Sequence, residues 1–316
     1  MNSPAVRTKS GIQPRSPWSR TIDRGFIWLT LFFALAVAAL LIWIAIEVAI
    51  QAMPAIRQFG TSFLFSTAWN PVENKYGALP QIYGTLVTSA IALLIAVPIG
   101  LGVSVFLSED YLPPRIQMVF VFLVELLAAI PSVVYGLWGI FVLIPILRSF
   151  GQWLNAYFGW LPIFNTPPSG PGMLPAGVIL SIMILPTITA ISRDALISLS
   201  SDLRQAAVGL GATRWETILK VLLPAAFSGI VGAVMLALGR AIGETMAVTL
   251  VIGNANNINS SILAPANTIP SLLVNQFSEA SGLQVAALMY AALILFGITL
   301  IVNILAQLLV NRVQRI

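Results

Sequence analysis

Apolar residues fall into six long runs separated by short polar or proline-rich stretches, with approximate limits 26–50, 84–107, 118–147, 173–192, 225–252 and 284–310. At 1.5 Å per helical residue, about 20 residues cross a hydrocarbon layer about 30 Å thick, and each run meets that length. The pattern predicts six transmembrane helices and therefore an all-α polytopic membrane protein. The third run is overlong and carries Pro131 and Gly136, so a kink, a tilt or a partly re-entrant stretch is expected there. The first run is too long for a signal-peptide core, and the basic segment MNSPAVRTKSGIQPRSPWSR before it lacks a convincing small-residue cleavage pattern. It is read as a signal anchor.

The basic residues orient these spans, because cytoplasmic loops collect Arg and Lys. Arg7, Lys9, Arg15, Arg20 and Arg24 precede the first run, Arg115 separates the second and third, Arg193, Arg204, Arg214 and Lys220 separate the fourth and fifth, and Arg312 and Arg315 close the chain. The other side holds Arg57, Lys75 and Arg148. Both termini are thereby expected in the cytoplasm. The organisation read from the sequence is a basic tail over 1–25, a first transmembrane helix over 26–50, an external segment over 51–83, and a core over 84–310 containing a cytoplasmic loop over 193–224. A short cytoplasmic end over 311–316 completes it. The outer segments 51–83, 148–172 and 253–283 hold Trp69, Trp153, Trp160 and several prolines, as interfacial caps and short external loops do.

Composition agrees with a membrane protein: 58% of residues are hydrophobic and 9% charged, with a mean hydropathy of +0.92. There is no Cys and no His, which removes thiolate, disulfide and imidazole chemistry and most metal sites. No cofactor and no metal are expected on this chain. The net charge of +5 is scattered between hydrophobic runs rather than gathered into a nucleic-acid patch. No GxxxxGK[ST] loop is present, and none of the three lysines follows a glycine, so ATP is not bound in that way.

One basic residue belongs to neither side. Arg240, in GRAIGETMAV, falls about 22 Å along a fifth helix beginning near Ala225. Burying an arginine at that depth costs about 2.5 to 3.5 kcal/mol on the insertion scale, so it is expected to face protein or a water-filled path. Glu244 follows four residues later, a spacing that puts both side chains on one face of a continuous helix. The pair reads either as a control point for an anion or as a structural ion pair that fixes helix packing. Gly239 and Gly243 flank the arginine at a spacing that lets another helix, or a ligand, approach the backbone. Glu125 is a second intramembrane charge, shallower in its span, and is read equally as a packing carboxyl or a pathway residue.

The longest inner loop, SRDALISLSSDLRQAAVGLGATRWETILKVLLP, reads as organised. A helix is expected through Leu203 to Val208, broken by Gly209 and Gly211, followed by a second helix through Trp215 to Leu222 capped by Thr213, with Glu216 as its third residue. Two short helices carrying an exposed Trp215 make a docking element for a cytoplasmic protein.

This loop resembles the permease signature of ABC importers, Glu-Ala-Ala, three residues, Gly, nine residues, Ile, one residue, Leu-Pro. It reads here Gln205-Ala206-Ala207, Gly211, Val221, Leu223-Pro224, with the spacing kept and Gln and Val as departures. Ala212 beside Gly211 and Trp215 belong to the same docking surface. Further stretches, YGALPQIYGTLVTSAIALLIAVPIG, ELLAAIPSVVYGLWG, LPAGVILSIMILP, ALGRAIGETMAVTLVIGN and SGLQVAALMYAALILFGITLIVN, are similar, in order, to the PstC-type permeases of phosphate-specific importers.

That resemblance implies a type I ABC importer permease in the plasma (inner) membrane of a prokaryote, forming half of a pore. It implies a homologous PstA-type permease, a PstB-type ATPase dimer carrying ATP and Mg, and an external PstS-type phosphate-binding protein as partners. The chain itself is then non-catalytic and binds inorganic phosphate only in passage. Arg240 becomes the candidate phosphate contact, with Glu244 holding it between passages, and Thr245 and Ser132 offering hydroxyl donors. Other readings are a permease for sulfate or molybdate, a proton-coupled secondary transporter using Glu125 or Glu244, and a sensor that reports occupancy through the loop.

Overall fold

The computed structural model describes residues 17–109 and 111–313. The start of the expected tail, with Arg7, Lys9 and Arg15, and the end of the chain, with Arg315, lie outside the described residues. The chain divides into two compact units, residues 1–50 and 51–316. Helix α1 runs from Pro17 to Phe59, well beyond the apolar limits. Good helix formers, Gln51, Ala52 and Met53, carry it past the first apolar run. In the first unit its Phe26, Trp28, Phe32 and Trp43 are all exposed, the condition of a helix in lipid.

In the second unit the segment expected as an external loop is largely ordered. Gly60, left-handed at φ +52°, closes α1 by donating its N–H to the Ile56 carbonyl at 2.8 Å. A short helix α2, Ser62–Phe65, and a hairpin of β1, Trp69–Asn70, with β2, Lys75–Tyr76, follow. Trp69 faces Tyr76 in that hairpin, and the Asn70 side chain accepts from the Val72 and Glu73 N–H groups in its turn. Helix α3 then spans Leu79–Ser108.

The expected single span over 118–147 is two helices. Helix α4, Pro114–Ala129, stops at Ile130 and Pro131, which are extended with ψ of 126° and 141°. The residue before a proline is driven from the helical region by the ring, which is why the break falls there. Helix α5, Ser132–Trp138, passes through a π-helical turn at Gly139–Leu143 into α6, Ile144–Phe158. The span of sufficient length and apolarity is Ser132–Phe158, which moves Arg148 and Trp153 from the expected outer loop into a helix.

Helix α7, Met173–Ile197, leads into α8, Ser201–Gly209, and α9, Arg214–Thr217. A π-helical turn over Ile218–Leu222 joins α9 to α10, Leu223–Ala225. The chain bends by 69° at Ala226 and continues as α11, Phe227–Gly243. After Glu244 and Thr245 comes α12, Met246–Val251, so the expected run over 225–252 is interrupted twice. Helices α13, Ile269–Gln276, and α14, Leu283–Val313, complete the chain. Among the described residues five helices are long and apolar enough to cross a membrane, and six spans result when the bent pair counts as one.

Helices α3 and α7 form the centre and pack at close range. A Cβ on Gly100 would meet Ile188 at 2.8 Å, and one on Gly177 would meet Ile91 at 2.5 Å, so glycine at both positions sets the separation. Around them Tyr135, Leu143, Ala237, Ala241, Val248 and Val251 close the main core. A smaller core of Leu196, Ile218, Leu222, Ala226 and Ile230 anchors the α9–α10 stretch to the end of α7. The segment after α12 is tied back onto α3 by amides: Gln81 and Asn267 both donate to Asn256 Oδ1, at 3.0 and 2.8 Å.

Candidate functional site

Helix α11 presents two unlike faces. Ala233, Ala237 and Ala241 are buried against the core, while Gly232, Gly239 and Gly243 look into open space, where an added Cβ would meet nothing within 4 Å. Arg240 lies half-buried between these faces, about 20 Å along the helix from Phe227. The open face borders a groove of ≈ 710 Å³ lined by Gly232, Met235, Gly239 and, from α14, Asn303 and Gln307.

The expected pairing of Arg240 with Glu244 on one helix face does not form. Helix α11 ends at Gly243, and Glu244 is extended at φ −69°, ψ 127°. Its carboxylate instead accepts the Ala247 N–H at 3.2 Å and so caps the first turn of α12. The ion pairs of the described residues include Lys75–Glu73, Arg193–Asp194, Arg204–Glu109 and Lys220–Glu216, and Arg240 is in none of these. A half-buried guanidinium without a carboxylate partner keeps its planar set of donors for an oxyanion.

The break before α5 brings in Tyr135, a residue that periodicity alone did not single out. Tyr135 lies in the same buried core as Ala237 and Ala241, which stand on either side of Arg240 along α11, and its hydroxyl donates to the Leu127 carbonyl at 2.8 Å. The available signal was Pro131: a proline that ends α4 leaves carbonyls of its last turn without helical partners, and a tyrosine one turn into the next helix is placed to serve one. Helix α5 also packs directly on α12. A Cβ on Gly136 would lie 2.5 Å from Leu250 Cδ1 and 3.2 Å from Ala247 Cα. The two interrupted spans therefore meet just beyond their breaks, with Ser132 and Thr245, both half-buried, at the starts of the restarted helices.

Glu125 stands apart from this group. It is exposed on α4 and lines a cleft of ≈ 30 Å³ with Leu107, Val124, Thr189, Arg193 and Asp194. The structure does not bring it to Arg240, because the break at Pro131 separates α4 from the helix that carries Tyr135.

The α8–α9 segment is built from local capping chemistry. Ser200 caps α8 by accepting the Asp202 N–H. At its other end Gly209 remains helical, contrary to the expectation that it breaks the helix, and Gly211 at φ +85° makes the reversal. The Gly211 N–H donates to Val208 O at 2.9 Å and the Ala212 N–H to Ala207 O at 3.1 Å, the paired bonds of a Schellman motif. Gly211 is thus required by its backbone angle, whereas Ala206 and Ala207 serve the turn through their backbone carbonyls, Ala206 exposed and Ala207 buried. Thr213 and Glu216 form a complete capping box on α9. Leu210, Trp215 and Leu219 are exposed along this segment, Leu210 by 90%, and Gln205 lies beside them on α8. Leu223 and Pro224 form the first turn of α10 just before the bend.

Residues 96–315 match the family model of the binding-protein-dependent transport system inner membrane component. The chain is 44% identical over 299 residues to the phosphate transport system permease protein PstC of Pasteurella multocida, covering 93% of both chains. It is 47% identical over 287 residues to the protein of the same name from Mesorhizobium japonicum, covering 89% of this chain and 88% of that one. Among solved structures it resembles a bacterial ABC transporter involved in the import of the acidic polysaccharide alginate, with a TM-score of 0.55 at 17% identity over 92% of this chain and 99% of that one. It also resembles an inward-facing MetNI methionine ABC transporter, with a TM-score of 0.54 at 18% identity over 78% of this chain and 99% of that one. These two likenesses concern the fold.

Proposed function

The chain belongs to the binding-protein-dependent transport system inner membrane components and, among them, to the PstC permeases of phosphate transport systems, and we propose that it forms half of an ATP-driven import path for inorganic phosphate. The observation that carries this reading is Arg240, half-buried on α11 between Ala237 and Ala241 of the main core, with no carboxylate paired to it among the described residues. Phosphate carries between one and two negative charges near neutral pH and is rejected by a bare apolar path. One fixed guanidinium lowers that barrier without building a trap from which the ion fails to leave. Ser132 and Thr245 add hydroxyls beside the same pair of breaks. Glu244 acts by fixing the start of α12 rather than by neutralising Arg240.

The other half of the path is a homologous PstA-type permease, which the open glycine face of α11 and the groove beside α14 leave room to approach. A PstB-type ATPase dimer takes the exposed surface of α8 and α9 around Gln205, Leu210, Trp215 and Leu219, and ATP and Mg reside on that partner. A PstS-type protein delivers phosphate to the opposite face, near the hairpin and the asparagine-rich segment after α12. In this reading both termini lie in the cytoplasm of a prokaryote, the chain itself has no catalytic centre, and ATP-driven motion of the α8–α9 segment alternates access to Arg240.

The test is reconstitution of the four-component complex in liposomes with labelled phosphate. Uptake that requires ATP, persists when the proton gradient is collapsed and resists excess sulfate supports the reading. Uptake that follows the proton gradient and ignores ATP overturns it.

A further inference from the structure

The α8–α9 segment does not lie flush on the rest of the chain. A cleft of ≈ 500 Å³, lined by Glu109, Arg204, Gln205, Val208, Arg214 and Thr217, separates it from the end of α3. Polar contact across that cleft is concentrated in two places. Arg204 Nη2 of α8 lies 2.6 Å from Glu109 Oε1, and Arg214 of α9 lies over the Tyr111 ring, 5.1 Å from its centroid. The Glu109 side chain is 7% exposed and that of Arg204 38%. An exposed ion pair breaks and reforms freely, whereas separating a buried carboxylate from its cation strands the charge.

The same few residues collect two further elements. Arg193 of α7 donates from Nε to the Leu107 carbonyl at 3.2 Å, and Gln117 of α4 donates from Nε2 to the same carbonyl at 2.6 Å. Glu109 thus terminates α3 at the point where α4, α7 and α8 converge. Helix α4 in turn ends at the Pro131 break, where Leu127 is held by Tyr135, which packs in one core with Ala237 and Ala241 of α11.

We propose that Glu109 is a positioning residue for transport: its ion pair with Arg204 carries displacement of the α8–α9 segment through the end of α3 into α4, and so to the Pro131 break, whose Tyr135 packs in one core with α11. This rests on the reading of the chain as an ATP-coupled permease. Glu109 touches neither ATP nor the transported anion; it sets how much anion moves for each ATP spent.

The experiment compares wild type, Glu109→Gln, Arg204→Gln and the double charge exchange Glu109→Arg with Arg204→Glu, each in the full complex in liposomes. Phosphate uptake and ATP hydrolysis are measured on the same vesicles, with assembly checked by copurification of the ATPase. The expected result is that both single variants assemble and hydrolyse ATP at within about threefold of the wild-type rate, while phosphate moved per ATP falls tenfold or more, and that the exchange restores at least a third of it. An unchanged ratio in the single variants overturns the proposal, as does a parallel fall of uptake and hydrolysis. A ratio that the exchange leaves uncorrected, or failure of both single variants to assemble, overturns it too, since the pair is then only a folding contact. The wild-type arm reports separately on substrate: absent phosphate uptake there contradicts the functional reading, whatever the variants do.

Discussion

The Tyr135 hydroxyl donates a 2.8 Å hydrogen bond to the Leu127 carbonyl across the break at Ile130 and Pro131. Eight residues separate them, so the bond exists only because α4 ends and α5 restarts between them. It ties the two helices together and holds the Tyr135 ring in the core that it shares with Ala237 and Ala241 of α11.

Tyr135→Phe keeps the ring and removes the donor. The Leu127 carbonyl retains only the weak bond from the Ile130 N–H at 3.4 Å, so a loss of about 1 kcal/mol in stability is expected. The complex assembles, and phosphate uptake slows several-fold because the break loosens beside the pathway. Initial uptake rates and the thermal midpoint of the purified complex check both effects.

Two glycines of α3 are expected to respond oppositely to alanine. A Cβ on Gly84 would lie 2.0 Å from the Asn267 carbonyl oxygen, a backbone atom that has to shift, whereas one on Gly102 meets nothing within 4 Å. Gly84→Ala is expected to cost about 3 kcal/mol and to loosen the segment after α12. Gly102→Ala stays within about 1 kcal/mol of wild type, on the stabilising side. Thermal unfolding of the two variants, side by side, distinguishes close packing from helix propensity.

Gly211→Ala tests the Schellman turn. At φ +85° with open space around it, the position opposes a side chain through backbone strain alone, a cost of about 1 to 2 kcal/mol. That strain falls on the element that carries Trp215 and Leu210. Copurification of the ATPase is expected to drop while the permease pair still forms.

Much of the fold was legible in the sequence. The apolar runs located the spans, the third of them shifted toward Phe158, and Gly211, Thr213 and Glu216 announced their turn and cap because such motifs are set by neighbours within a few residues. The breaks were less visible. Pro131 marked the first, since proline acts on the residue before it, but nothing so local marks the second at Glu244, where α12 packs on Gly136 of a distant helix. The expected Arg240–Glu244 pair assumed an unbroken helix and was lost with it. Tyr135, Glu109 and Tyr111 escaped notice for the same reason: each matters through a partner that only the tertiary arrangement supplies.

The most direct measurement is ATP-dependent phosphate uptake by the reconstituted complex with Arg240→Gln, beside Arg240→Lys and wild type, with ATPase copurification as the control for assembly. Arg240 as the anion contact predicts an assembled Gln variant with uptake reduced a hundredfold or more and a Lys variant that recovers part of it, because a point charge replaces a two-pronged donor. Wild-type uptake by an assembled Arg240→Gln complex would contradict a phosphate path through this residue.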